Sequence, residues 1–164
     1  MDKIKLGIPK SMVYFYYKDF WETFFDELNM EVIYSDDTNK KIIESGSNIA
    51  NDEMCLSLKL YLGHVNQLIN KCDYILVPRI DNYGIDQQTC TNFLALPDII
   101  RNLFDTKIIE YNIDLYRNED ELTSLTKALL PLSINIDDIS DAYYKAKKKE
   151  KELLNIDIRR NINN

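Results

Sequence analysis

Short apolar runs alternate with longer stretches of helical periodicity along the chain. IKLGI (4–8) reads as a buried first strand, stopped by Pro9. Ser11 is placed to cap a helix over 11–29, where Val13, Tyr17, Phe20, Trp21, Phe24, Phe25 and Leu28 recur at helical spacing. EVIYS (31–35) predicts a second strand, and 39–50 a weaker helix broken near Gly46. The next helix is expected to be capped by Asp52 and to run to about Lys71. Leu56, Leu58, Leu60, Leu62, Val65 and Leu68 supply its apolar side, and Cys55 falls in its first turn. DYILVPRI (73–80) is the clearest strand, ended by Pro78. A polar stretch without periodicity follows over 81–92, and loops of that length in a compact domain are often functional. A short helix over 95–105 has Pro97 near its first position, with Ile99, Ile100, Leu103 and Phe104 inward. KIIEYNI (107–113) is a fourth strand, and helices over 119–130 and 137–154 close the chain.

Strands separated by helices imply parallel pairing with both sheet faces covered. The expected architecture is one three-layer, Rossmann-like α/β domain over 1–164. Its four-stranded parallel sheet has an order near 2-1-3-4, right-handed crossovers, and a C-terminal helix with a basic tail over 137–164. A chain of 164 residues, 45% hydrophobic, with only 4 Gly and 4 Pro, fits one such core and argues against low complexity or an all-β design.

Charge narrows the function classes. The net charge of -7 disfavours a general nucleic-acid binder, which needs clustered Lys and Arg. Residues 142–164 alone carry +4, so the remainder carries -11. That tail reads as a solvated helix face, with docking of an acidic partner as the other option. No run approaches the roughly 18 apolar residues a membrane span needs. The first residues lack the apolar core of a signal peptide, and three cysteines make no disulfide framework. A reduced, cytoplasmic setting is the expectation. There a thiol is core filler, metal ligand or reactive group.

Open parallel sheets bind ligands beyond the carboxyl ends of their strands. The Pro9–Ser11 turn, the start of the Cys55 helix and the loop holding Cys90 should converge there, with Lys10 and Arg79 near the same rim. Cys72 falls at the opposite end, beside Asp73, and reads as a small filler. Cys55 would meet aligned backbone N–H groups at a helix start, which favour the thiolate that coordinates metal. Cys90 sits on a polar loop with the exposure a ligand needs. Surface charge is the plainer reading for Asp52, Glu53 and Lys59. Arg79 could clamp a phosphate or carboxylate, or form an ordinary ion pair. His64 lies nine residues from Cys55, about 180° around the same helix, and is a poor base for that thiol. Neither a P-loop nor a GxGxxG motif occurs. The tyrosines at 14, 16 and 17 read as packing.

Four motifs in order carry a resemblance: Gly7-Ile8-Pro9-Lys10, Asp52-Glu53-Met54-Cys55, Pro78-Arg79, and Cys90 with Phe93 and Leu96-Pro97-Asp98. Over roughly 4–104 the chain resembles the acyl-CoA dehydratase activase-related proteins, relatives of the 2-hydroxyacyl-CoA dehydratase subunits of anaerobic bacteria. Such subunits hold a [4Fe–4S] cluster with three cysteines at the mouth of Rossmann-like domains, and a separate ATP-hydrolysing activator delivers the electron. The resemblance therefore implies Cys55 and Cys90 as cluster ligands and carries over to no other residue, while Lys10 and Arg79 are candidate ligand or substrate contacts by their place at the rim. It also implies an activase-type ATPase or a second dehydratase-like subunit as partner. The sequence departs from the family in offering no plausible third cysteine, in reading Thr91-Asn92 where relatives often have Pro-Lys, and in lacking an ATPase phosphate motif. A cluster would then need a thiolate from a second chain, an exogenous ligand, or two cysteines from each copy of a homo-oligomer. The competing expectations are a non-catalytic partner domain without a cluster, a two-cysteine zinc or other metal site, and an unrelated small-molecule binder.

Overall fold

Alternation along the first strand sets up two separate cores. In β1 (Lys5–Ile8), Leu6 and Ile8 enter the core on one face of the sheet, while Gly7 lies against Leu68, Cys72 and Ile75 on the other. A computed structural model describes residues 3–162, with side chains through residue 155. The elements that follow are α1 (Tyr14–Glu27), β2 (Glu31–Tyr34), α2 (Lys40–Ile49), α3 (Leu56–Leu68), β3 (Tyr74–Asn82), α4 (Thr91–Leu103), β4 (Ile108–Asp114), α5 (Glu121–Leu129) and α6 (Ile136–Ile162). Short 3-10 turns stand at Leu115–Arg117 and Leu130–Leu132.

The four strands form one parallel sheet in the order β2-β1-β3-β4, as the alternation of elements predicts. Phe20, Trp21, Phe24 and Phe25 of α1 join Leu125 and Leu129 of α5 and Ile139, Ala142 and Ala146 of α6 over one face. Leu58, Tyr61, Leu62, Val65 and Leu68 of α3 join Leu96 and Ile100 of α4 over the other. The fold is a three-layer α/β sandwich. Three side chains expected to pack point to water instead, Leu56 and Leu103, each at a helix terminus, and Tyr16 in the first turn of α1.

Several boundaries differ from expectation for identifiable reasons. The helix over 39–50 is unbroken at Gly46. That glycine is a contact point, because a Cβ there would lie 1.8 Å from the Lys59 carbonyl oxygen. Asn39 caps α2, its side chain accepting from the Lys41 and Ile42 N–H groups. Ser11 does not cap α1. It sits in a turn whose N–H donates to Pro9, and Val13 takes the cap position without a side-chain bond. Asp52 does not cap α3 either, because Asn51 closes a turn onto the Met54 N–H and moves the cap to Cys55.

Pro78 does not end β3, which continues to Asn82. β1 is in register with β3 only at Leu6–Tyr74 and Gly7–Ile75, so Pro78 lies where β3 has β4 alone as a ladder partner. Pro97 lies inside α4 and not at its start. It cannot donate to the carbonyl one turn back, and Arg79 Nη1 donates to the neighbouring Leu94 carbonyl at 2.7 Å.

The basic tail is partly engaged. Lys145 pairs with Glu27 at 2.6 Å, and Lys147 with Glu121 at 2.6 Å and Glu150 at 3.1 Å. The side chains of Arg159 and Arg160 lie outside the described residues. No helix among the described residues is long and apolar enough to cross a membrane.

Candidate functional site

Cys55 and Cys90 occupy equivalent positions. Each is the residue immediately before a helix, in extended backbone (φ -65°, ψ 157° and φ -74°, ψ 156°), and each side chain makes no capping hydrogen bond. Both are exposed free thiols. The residue favoured at this position accepts hydrogen bonds from the first-turn N–H groups through a side-chain oxygen. Here sulfur stands in its place and caps neither helix. α3 and α4 cover the same face, and Asn92 Nδ2 in the first turn of α4 donates to Cys55 Sγ at 3.5 Å. The Cys55 sulfur therefore meets the start of the helix that Cys90 caps. The one sequence signal at Asn92 is that it occupies one of the two positions where the chain departs from Pro-Lys.

The polar stretch that carries Cys90 is shorter and more ordered than its composition suggests. It comprises residues 83–90 and folds back on the end of β3. Asn82 and Gln88 form an antiparallel bridge, the Thr89 N–H donates to the Asp81 carbonyl at 2.9 Å, and the Thr89 hydroxyl bonds the Ile80 carbonyl. Asn82 Nδ2 ties β3 to β4 through Asp114 Oδ1 at 2.8 Å, both residues being buried.

The other candidate residues are distributed as follows. Lys10 leaves the end of β1 and pairs with Asp37 at 3.0 Å, a hydrogen bond that raises its pKa against the opposing effect of burial. Arg79 is committed within the fold, with Nη1 3.0 Å from Asp98, Nε 3.3 Å from Glu110 and Nη1 on the Leu94 carbonyl. Burial opposes its charge, but the two carboxylates outweigh this and hold its pKa above the ordinary value. Arg79 also holds the Asp98 carboxyl below its usual range. Cys72 lies at the opposite end of the sheet, half-buried against Gly7, its thiol reaching the Leu68 carbonyl at 3.4 Å. Burial pushes that thiol's pKa up. Among the described residues, no group of three or more His, Cys, Asp or Glu side chains could hold a metal ion.

His64 has a structural task that its spacing from Cys55 did not reveal. It is fully buried, with Nδ1 2.8 Å from Ser35 Oγ and Nε2 2.9 Å from Thr38 Oγ1, while Ser35 Oγ also accepts the Lys10 N–H at 2.8 Å. Burial is the main cause lowering its pKa, and Lys10 adds to it, with Asp36 and Asp37 opposing. The unfolded chain therefore takes up this proton at a higher pH than the folded one. Stability is complete above the ordinary histidine value of about 6.5 and falls below it, by no more than about 1.4 kcal/mol per pH unit. Urea titrations between neutral and mildly acid pH should show that decline. It should flatten in His64→Gln, and an identical slope in the variant would rule out His64 as its source.

A family model described as CoA enzyme activase uncharacterised domain matches residues 5–161, nearly the whole chain. No curated protein and no solved structure matches it.

Proposed function

Because the chain belongs to the CoA enzyme activase domain family, we propose that it is an iron–sulfur module of a 2-hydroxyacyl-CoA dehydratase or activase-type system. Cys55 and Cys90 are the ligands this chain supplies. The supporting observation is the pair of exposed sulfurs, each at a helix cap without a capping hydrogen bond, with Asn92 joining the Cys55 sulfur to the start of the second helix. Thiolates at helix N-termini suit an anionic iron–sulfur centre in chemical kind. In number they fall short, so the remaining ligands come from a second chain. A bound [4Fe–4S] cluster would supply one-electron chemistry, with the electron arriving from an ATP-hydrolysing partner. The part of this chain is to present two sulfurs, with the Asn92 amide orienting one of them. Cys72 has no place in the set.

Anaerobic reconstitution with iron and sulfide tests the assignment. The protein should turn brown, with broad visible absorption and bound iron and sulfide. Cys55→Ala and Cys90→Ala should each abolish this, whereas Cys72→Ala should not. Retention of colour and iron in both single variants would refute the ligand assignment. The shortage of ligands favours a second reading, a partner-docking domain without a cluster. It predicts a colourless protein that still binds an activase-type ATPase.

A further inference from the structure

We infer that the carboxyl edge of the sheet is the docking surface for a protein partner whose contact face is apolar and bordered by basic side chains, and not for a second copy of this chain. This deepens the proposed function by naming the chemistry of the chain that would complete the cysteine site, and it rests on that reading only for the partner's role.

Among the described residues, six of the fourteen large apolar side chains that face water lie at this one edge. Phe15 and Tyr16 open α1, Leu56 opens α3, Ile85 tips the loop after β3, and Leu115 and Tyr116 follow β4. Tyr16 is 84% exposed, Ile85 77% and Leu56 66%. Single exposed apolar residues mean little, but their concentration on one edge marks an interaction site. The segments bearing them are held in place. Tyr17 and Tyr83 share a 2.8 Å hydroxyl–hydroxyl hydrogen bond, and the Tyr116 N–H donates to Asn82 Oδ1. The aromatic groups are therefore presented on a braced surface, and little ordering entropy opposes docking.

Charge selects the occupant. Asp36, Asp52, Glu53 and Asp86 are exposed on the connections at this edge. The basic residues on those connections are already paired, Lys10 with Asp37 and Arg117 with Asp114 at 3.4 Å. Two such edges brought together would oppose acid to acid, a costly juxtaposition, whereas a basic border would complement them.

The metal-free protein can be titrated with two labelled amphipathic helical peptides, one built of Leu and Lys and its twin of Leu and Glu. The cationic peptide should bind at least tenfold tighter. The paired change Ile85→Asp with Tyr116→Ser should weaken it at least tenfold without altering the melting temperature. Asp52→Asn with Glu53→Gln should weaken it as well, while Asp19→Asn with Glu22→Gln on the flank of α1 should not, which separates the edge from the general acidity of the protein. Equal binding of the two peptides, indifference to the rim changes, or equal loss from the flank changes would overturn the inference. So would concentration-dependent dimerisation in sedimentation that Ile85→Asp abolishes. Cys55→Ser with Cys90→Ser should leave peptide affinity unchanged. A failed iron reconstitution and a failed docking surface are thereby told apart.

Discussion

Gly63→Ala should destabilise the protein by about 3 kcal/mol in urea unfolding, at the upper end of what overpacking costs, although alanine is the better helix former by about 1 kcal/mol. α2 and α3 run against each other, with Gly46 and Gly63 at their contact. A Cβ on Gly63 would lie 2.1 Å from the Ile42 carbonyl oxygen, and one on Gly46 only 1.8 Å from that of Lys59. Both obstacles are main chain, so no rotamer change can relieve them and one helix must move off the other. Ile42, buried at this junction, would be uncovered by that movement. Gly46→Ala should behave alike. Ser47→Ala, exposed on the same helix, should be neutral or slightly stabilising. Equal stability of Gly63→Ala and the parent would mean that the helices are not in backbone contact.

Lys147→Met is expected to destabilise by about 2 kcal/mol, less than for a fully enclosed pair because the lysine keeps some access to water. Lys147 lies between Glu121 and Glu150, with its ammonium 4.6 Å from the Phe20 ring centroid. Burial alone would lower its pKa, but the two carboxylates reverse that and leave it raised. Glu121 also accepts the Tyr143 hydroxyl at 3.2 Å. Methionine preserves the stem against Phe20 and removes only the charge, stranding two half-buried carboxylates. Adding Glu121→Gln and Glu150→Gln should restore most of the loss. A single variant as stable as the parent would show that this lysine does no more than a neutral side chain.

The strand count, parallel pairing and order were readable because each strand is a brief apolar run and each helix carries a periodic stripe. Both prolines misled, since Pro78 lies where β3 has β4 alone as a ladder partner and Pro97 sits well inside α4, near the Leu94 carbonyl that accepts from Arg79. A contact fifteen residues away in sequence leaves no local mark. The Asp52 cap was misplaced for a related reason, since Asn51 competes for the same turn and shifts the helix start. That shift alters the view of the site, putting Cys55 at the cap position that Cys90 also holds. The rim of exposed apolar groups is hidden in the sequence because its members come from four separate segments, two of them helix starts. Spacing relates His64 only to residues of its own helix, and its partners Ser35 and Thr38 lie on another connection.

The unequal strand lengths have a geometric consequence of their own. β1 and β2 stop together at Ile8 and Tyr34, whereas β3 and β4 continue to Asn82 and Asp114, roughly 20 Å of strand past the last β1–β3 pair. The upper boundary of the sheet is thus a terrace with a riser, not a level sill. Anything seated on it meets a tall side and a low side, so its handedness of approach is dictated by the outline of the main chain before any side chain is consulted.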